Sequence, residues 1–131
     1  MAHFHELRVY YEDTDFSGLV YHASYLRFLE RGRTEWLRAL GVNQSDTHAT
    51  DALAFVVRQM RIDFIKPAKM DDILRVETGL GLLGGASLTL HQRILRQETE
   101  LLTAEVKIAV VQNGVPKRLP SALREALSTP R

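Results

Sequence analysis

The chain has 131 residues, of which 45% are hydrophobic and 25% are charged, so its composition is that of one ordinary globular domain. It carries 17 Lys and Arg residues against 16 Asp and Glu residues, a balance that argues against nucleic acid as a partner. The absence of cysteine excludes disulfides, thiolate metal sites and a cysteine nucleophile. Neither a membrane span of ~20 apolar residues nor the basic and apolar regions of a signal peptide can be recognised. We therefore expect one domain over residues 1–131, located in the cytoplasm.

The first part of the chain predicts a strand, an acidic loop and a long helix. Residues 4–11 favour a strand, and residues 12–18 interrupt it with acidic side chains and a glycine. Over about residues 21–40, apolar residues recur at spacings of three, four and seven, which predicts an amphipathic helix that ends at Gly41. The apolar stripe includes Gly32, although a glycine inside a helix costs ~1 kcal/mol relative to alanine. We interpret Gly32 as the place where a sheet packs very close to the helix backbone.

The remainder of the chain predicts a sheet. Residues 54–112 alternate apolar and polar side chains with period two, which indicates four consecutive strands. The connections are short enough for antiparallel hairpins and lie at residues 68–71, 81–85 and 97–100. A turn at Asn113-Gly114 and a short helix over about residues 121–127 follow. The elements give an α+β fold in which a five-stranded antiparallel sheet wraps around one long central helix.

The predicted sheet has more apolar surface than one helix can cover. Apolar residues also occur on its second face, at Val57, Ile65, Ile73 and Leu95. A sheet with two apolar faces needs a covering layer on each of them. We therefore expect a homo-oligomer in which a second subunit buries the outer face or an edge of the sheet.

The acidic loop is the strongest candidate for chemistry. Glu12, Asp13 and Asp15 directly precede the long helix, and His22 lies at its predicted start. The first N–H groups of a helix are unpaired and carry a partial positive charge, so they can stabilise an oxyanion. A carboxylate beside such donors supplies a base or nucleophile together with an oxyanion site, as acyl transfer requires. The same residues are also typical of helix caps and turns, and their spacing alone leaves both interpretations open.

Other motifs are weaker. Residues 79–84 match G-x-G-x-x-G, but a period-two segment follows where a dinucleotide site needs a helix, so we predict a hairpin turn. His3 and His5 offer only two metal ligands, and no nucleophile elbow of a serine hydrolase is present. We expect neither a metal nor a cofactor. Basic residues on the predicted strands, Arg58 and Lys66 among them, indicate a solvated face or a phosphate-binding patch.

Two segments carry a specific resemblance to a known family. Residues 9–33 read VYYEDTDFSGLVYHASYLRFLERGR, and Asp63-Phe64-Ile65-Lys66-Pro67-Ala68 is followed by Asp71-Asp72. Both segments resemble the hotdog-fold acyl-CoA thioesterases of the YbgC type, which are relatives of 4-hydroxybenzoyl-CoA thioesterase often associated with the bacterial Tol-Pal system. The resemblance covers essentially the whole chain. It implies a hotdog fold, in which an antiparallel sheet wraps around a long helix, in agreement with the order of elements above.

The resemblance also implies roles for individual residues. The family's catalytic carboxylate corresponds to Asp15, and the backbone N–H that polarises the thioester carbonyl corresponds to His22. Gly18 and Tyr21 are candidate substrate-binding residues, as are Arg58 and Lys66, which are chosen only because they lie on or at the end of a predicted central strand. Whether Asp15 activates water or attacks the thioester directly is open within the family. Glu30 and Arg33, one turn apart on the helix, are expected to form a structural ion pair.

The resemblance predicts hydrolysis of acyl-CoA, or of an acyl group on acyl carrier protein, by a dimer or tetramer, with a homotetramer as the expected assembly. The alternative is a hotdog module of the Tol-Pal system that binds or scaffolds acyl groups and hydrolyses them weakly or not at all. The complete motif at Asp15 and His22 favours the enzyme. A hydratase on the same fold would need an acid–base constellation that this sequence does not show.

Overall fold

The computed structural model describes residues 2–42 and 53–128, and this part of the chain forms one sheet and two α-helices. The strands are β1 (His3–Arg8), β2 (Leu53–Phe64), β3 (Ile73–Leu83), β4 (Ser87–Arg96), β5 (Thr99–Gln112) and β6 (Val115–Pro116). The helices are α1 (Ser24–Ala39) and α2 (Ser121–Ser128), and a 3₁₀ turn over Tyr11–Asp13 precedes α1.

The sheet has six strands in the order β1-β3-β4-β5-β2, with β6 on β5, and its pairings are antiparallel. The expected number of five strands is therefore corrected to six. The sixth strand arises because the predicted turn at Asn113-Gly114 folds Val115–Pro116 back onto the end of β5. The predicted α+β class, with an antiparallel sheet around one long helix, is confirmed.

The short connections predicted a four-stranded meander that includes β2, but β2 is not part of one. It pairs with β5 along its length, from Leu53 opposite Gln112 to Phe64 opposite Leu102, so only β3, β4 and β5 form the meander. Beyond β2, the N–H groups of Ile65 and Lys66 both donate to the Leu101 carbonyl, at 2.9 and 3.1 Å. The connection to β3 therefore crosses the end of the sheet over three strand spacings, about 14 Å, instead of closing a hairpin.

α1 packs its apolar face on the sheet. It begins at Ser24 rather than at about residue 21, because the Ser24 N–H donates to the Tyr21 carbonyl at 2.8 Å in a turn before the helix. A Cβ atom at Gly32 would lie 2.5 Å from Val76 Cγ1 in β3. The predicted close approach of a sheet to the helix backbone is therefore confirmed.

A buried polar network also joins α1 to the sheet. Arg33 Nη1 donates to Gln92 Oε1 at 3.1 Å, while Gln92 Nε2 donates to the Leu29 carbonyl at 3.0 Å and to Thr78 Oγ1 at 2.9 Å. No salt bridge within 4 Å joins Glu30 to Arg33 in the described part of the chain, so the predicted ion pair is wrong as a direct contact. Burial lowers the pKa of Arg33, and the charge of Glu30 acts in the opposite direction. The Arg33 side chain turns under the helix to reach β4, whereas Glu30 is exposed.

The apolar residues expected on the second face divide into two groups. Val57, Ile65 and Ile73 are 41%, 49% and 39% exposed, whereas Leu95 is buried within the single chain. The uncovered apolar surface thus lies on β2, on the segment after it and at the start of β3. Separately, no helix in residues 2–42 and 53–128 is long and apolar enough to cross a membrane.

Candidate active site

The acidic loop between β1 and α1 is a tight hairpin that exposes Asp15. The Asp15 N–H donates to the Leu19 carbonyl at 3.0 Å, and the Gly18 N–H donates to the Asp15 carbonyl at the same distance. Thr14 and Val20 pair as an antiparallel bridge across the base of the loop. Gly18 has a φ of +85°, a left-handed conformation that glycine adopts without strain. The loop therefore holds the Asp15 backbone in a defined position.

Asp13 fastens this loop to the start of α1. Its side chain is buried, with Oδ1 3.1 Å from Arg27 Nη2 and Oδ2 accepting the Tyr10 N–H at 2.9 Å. Its carbonyl accepts the Tyr21 N–H at 2.9 Å and the Ser24 hydroxyl at 3.0 Å. In the sequence, Asp13 is one of three acidic residues of the loop, and this anchoring role was not predicted. The alternation Asp-x-Asp was the available signal, because it places one carboxylate inward and the other outward.

The Asp15 carboxylate is ionised at neutral pH. The Ser17 hydroxyl donates to Asp15 Oδ1 at 2.5 Å, and the Ser17 backbone N–H donates to the same oxygen at 2.8 Å. These hydrogen bonds, the hydroxyl's above all, hold the pKa of Asp15 below its usual value of 3.8, and the charge of His22 adds a smaller effect in the same direction. Asp15 is exposed, so this carboxylate is open to a ligand.

The backbone at His22 offers a hydrogen-bond donor. The Tyr21 N–H on one side and the Ser24 N–H on the other are both paired with backbone carbonyls. Among the described residues, none accepts a hydrogen bond from the His22 N–H. It precedes the first turn of α1, where the partial positive charge of a helix is greatest. An anion or a polarised carbonyl oxygen can therefore bind here.

Asp15 and His22 face a common cleft of about 350 Å³. Ser17 and Lys66 complete its polar lining. Its apolar wall comprises Leu19, Val20, Tyr25, Phe64, Ile65 and Pro67. The Tyr25 hydroxyl accepts the Ala68 N–H at 3.0 Å, and burial raises the pKa of Tyr25, so this side chain stays protonated and neutral. The cleft combines an ionised carboxylate, an unpaired backbone donor, one cation and an apolar surface.

The structure places the predicted site residues in two groups. Asp15, His22 and Lys66 line the cleft. Gly18 forms the loop turn and Tyr21 precedes His22, and neither of them is part of the lining. Arg58 lies at the bulge of β2 between Val57 and Gln59, also outside the lining. The glycine-rich segment at residues 79–84 lies in β3 and its turn into β4, as predicted for a hairpin.

Comparisons with known proteins agree on one family. The profile of the Thioesterase-like superfamily matches residues 9–127. Acyl-CoA thioesterase YbgC of Haemophilus influenzae is 48% identical over 111 residues, which cover 85% of this chain and 82% of that protein. Acyl-CoA thioester hydrolase YbgC of Escherichia coli is 44% identical over 121 residues, covering 92% and 89%. The crystal structure of a probable thioesterase from Bartonella henselae has a TM-score of 0.89 at 46% identity, covering 92% of this chain and 100% of that one.

Proposed function

The chain belongs to the Thioesterase-like superfamily and, within it, to the YbgC acyl-CoA thioesterases, and from this we propose that it hydrolyses acyl-CoA thioesters in the cleft at Asp15. The observation that carries the proposal is the pairing of two groups in one cleft. Asp15, whose carboxylate is ionised, and His22, whose backbone N–H has no acceptor among the described residues, both line this cleft. These are the two requirements of acyl transfer, a base or nucleophile and a donor for the oxyanion.

The chemistry assigns one step to each group. Asp15 either removes a proton from a water that attacks the thioester carbon, or attacks that carbon itself to form an anhydride that water then opens. The carbonyl oxygen becomes negatively charged in both routes, and the His22 N–H donates to it. A preorganised donor of this kind is typically worth ~3–4 kcal/mol. The tetrahedral intermediate then collapses with cleavage of the C–S bond, which gives the free acid in the first route and, in the second, the anhydride that water opens afterwards. The thiolate leaves without a strong acid because the pKa of a thiol is about 8.5.

The lining of the cleft supports an acyl chain attached to a phosphopantetheine arm. The apolar wall that Tyr25, Phe64 and Ile65 help to form suits the acyl group, and the ammonium of Lys66 suits an anionic part of the carrier. Gly18, Tyr21 and Arg58 remain proposed contacts for parts of the substrate outside the cleft. CoA and acyl carrier protein present the same arm, so acyl carrier protein is a second proposed carrier. Because acyl-CoA is made and used inside cells, we propose a cytoplasmic location.

Thiol release from a panel of acyl-CoAs, from short aliphatic to long-chain and aromatic, tests the proposal. We expect Asp15→Asn and Asp15→Ala to reduce turnover by at least about 100-fold, the lower end of what a positioned acid–base group contributes. Glu12→Gln is a matched control, because Glu12 is an exposed carboxylate of the same loop that does not line the cleft. Circular dichroism should show the same fold in all variants.

Two outcomes would contradict the proposal. Wild-type turnover in Asp15→Asn would show that Asp15 is neither the base nor the nucleophile of the reaction. A folded wild-type protein that binds acyl-CoA but releases no thiol from any member of the panel, or from acyl carrier protein, would identify the alternative, a module that binds acyl groups without hydrolysing them.

A further inference from the structure

Ser17 donates twice to one oxygen of the Asp15 carboxylate. Its hydroxyl lies 2.5 Å from Asp15 Oδ1, and its backbone N–H lies 2.8 Å from the same atom. No hydrogen bond from the described residues reaches Asp15 Oδ2. The two carboxylate oxygens are therefore inequivalent, since one is held by the loop and the other is left for a ligand.

The direction of the Ser17 hydroxyl proton is itself constrained. The Leu19 N–H points at Ser17 Oγ at 3.4 Å, so this oxygen faces a donor on one side. The hydroxyl proton is then directed to the other side, where Asp15 Oδ1 lies. The hydrogen bond from the Asp15 N–H to the Leu19 carbonyl holds Asp15, Ser17 and Leu19 in this relative arrangement.

Such an arrangement matters because a carboxylate otherwise rotates freely. The terminal torsion of an aspartate is broad, so the two oxygens of an exposed side chain exchange places readily. Reaction requires an attacking or proton-accepting atom within about 3–3.5 Å of its target and correctly aligned. Two donors on Oδ1 fix the torsion, and Oδ2 of this cleft-lining side chain has no hydrogen-bond partner among the described residues.

We propose that Ser17 is a positioning residue for Asp15, whose hydroxyl fixes Oδ1 so that Oδ2 is the oxygen presented to the thioester. This inference rests on the proposed role of Asp15. A serine that only shapes the turn would need no more than its backbone N–H, which any residue supplies. The hydroxyl adds a charge-assisted hydrogen bond that the turn does not require.

The test distinguishes the effect of the Ser17 hydroxyl on activity from the effect of the turn geometry. Ser17→Ala keeps the backbone donor and removes the hydroxyl, whereas Ser17→Thr restores a hydroxyl at the same position. Thr14→Val is the matched control, because the Thr14 hydroxyl belongs to the same loop but donates to the Tyr11 carbonyl at 2.8 Å. Asp15→Asn is measured alongside, and circular dichroism and thermal unfolding establish that each variant is folded. If Ser17→Ala does not fold, Ser17→Cys offers a weak donor of similar shape in its place.

We expect Ser17→Ala to lower kcat about tenfold, within the loss that misplacing a reacting group causes, while KM changes by less than about twofold because ground-state binding is retained. Ser17→Thr should recover most of kcat, and Thr14→Val should leave kcat and KM unchanged. The acid limb of the kcat profile should move to higher pH in Ser17→Ala, because a donor that favours the ionised carboxylate is lost.

The outcomes distinguish this inference from the proposed function. Wild-type kcat and an unshifted acid limb in Ser17→Ala, with Asp15→Asn inactive, would overturn the positioning role and leave the catalytic role of Asp15 intact. A raised KM at unchanged kcat, or no recovery in Ser17→Thr, would also contradict positioning. Wild-type turnover in Asp15→Asn would overturn the proposed function itself.

Discussion

Gly32 lies on the buried face of α1, where the helix backbone approaches β3. Besides Val76 Cγ1 at 2.5 Å, a Cβ atom here would lie 3.2 Å from Thr78 Oγ1. This approach also brings the Leu29 carbonyl of the helix within 3.0 Å of Gln92 Nε2 on the sheet. The missing side chain thus allows direct hydrogen bonding between the helix backbone and side chains of the sheet.

We expect Gly32→Ala to destabilise the protein by about 2 kcal/mol, because overpacking of this severity outweighs the gain in helix propensity. The free energy of unfolding in urea provides the measurement. Val76→Ala removes the atom that the new methyl group would strike, so the double variant should lose less than the sum of the two single variants. Stability equal to the wild type in Gly32→Ala would show that the helix moves away from β3 without cost.

At this scale the sequence predicted where the helix backbone approaches the sheet, but not which side chains pair with one another. The anomaly at Gly32 was visible because a mid-helix glycine conflicts with helix propensity. The pair of Glu30 and Arg33 was predicted from helical spacing, but spacing contains no information about Gln92, which lies on a distant strand. Asp15 was identified from the loop and the resemblance, whereas the contacts of Ser17 depend on a loop geometry that local propensity does not specify.

At the scale of elements, the turn before β3 supports one wall of the cleft. Asp72 Oδ2 accepts the Lys69 N–H at 3.0 Å and Arg96 Nη1 at 2.8 Å. Within the same turn, the Ala68 carbonyl accepts the Val20 N–H at 2.8 Å, which attaches the turn to the acidic loop. Asp72 therefore stabilises the turn to which the acidic loop is hydrogen-bonded.

We expect Asp72→Asn to lower the free energy of unfolding by about 1.5–3 kcal/mol at pH 7, the range for a hydrogen bond to a charged group. Burial raises the pKa of Asp72, but the hydrogen bonds from Lys69 and Arg96 outweigh it and hold the pKa below 3.8. The folded state thus has the lower pKa, so the stabilisation is present above about pH 3.9 and disappears as the pH falls through the folded value.

Urea unfolding of wild type and Asp72→Asn between pH 7 and pH 3 measures this difference. Asp71→Asn is the control. Asp71 is the exposed neighbour of Asp72, and its φ of 73° is a conformation that asparagine also tolerates. A deficit in Asp72→Asn that stayed constant down to pH 3 would show that its cause is not the charge.

The elements themselves were predicted well, and their pairing less so. Period-two patterns located the long strands, and the helical stripe located α1 to within a few residues of its start. The pairing of β2 was wrong because the short connection was taken to imply a hairpin, while the choice between β3 and β5 as neighbours depends on contacts remote in sequence. β6 was missed because Val115–Pro116 is too short to show any period.

At the scale of the whole molecule, β2 is an end strand of the sheet that residues 2–42 and 53–128 form, and it has exposed apolar side chains. Its pairing partner is β5, and Val56 and Val57 are 45% and 41% exposed. Such an edge readily pairs with another chain. We propose that a second copy covers it and that the protein is a dimer or, as the family resemblance implies, a homotetramer.

Sedimentation velocity should therefore show a species of at least twice the mass of one chain. We expect Val57→Lys to shift the distribution toward smaller species, because burying an unpaired ammonium in an interface is costly. Leu82→Lys, at an exposed apolar position of β3, is the matched control and should sediment as the wild type does. A monomeric wild type at micromolar concentration would contradict the proposed assembly.

The pairing of β2 with β5 also has a consequence for how the protein acquires its activity. Asp15 and His22 occur early in the chain, but the opposite wall of the cleft follows β2, and β2 is held by a strand that begins at Thr99. Contacts of such wide sequence separation form slowly during folding. On the ribosome, a nascent chain with its acidic loop already translated therefore has no closed cleft until most of its length has emerged.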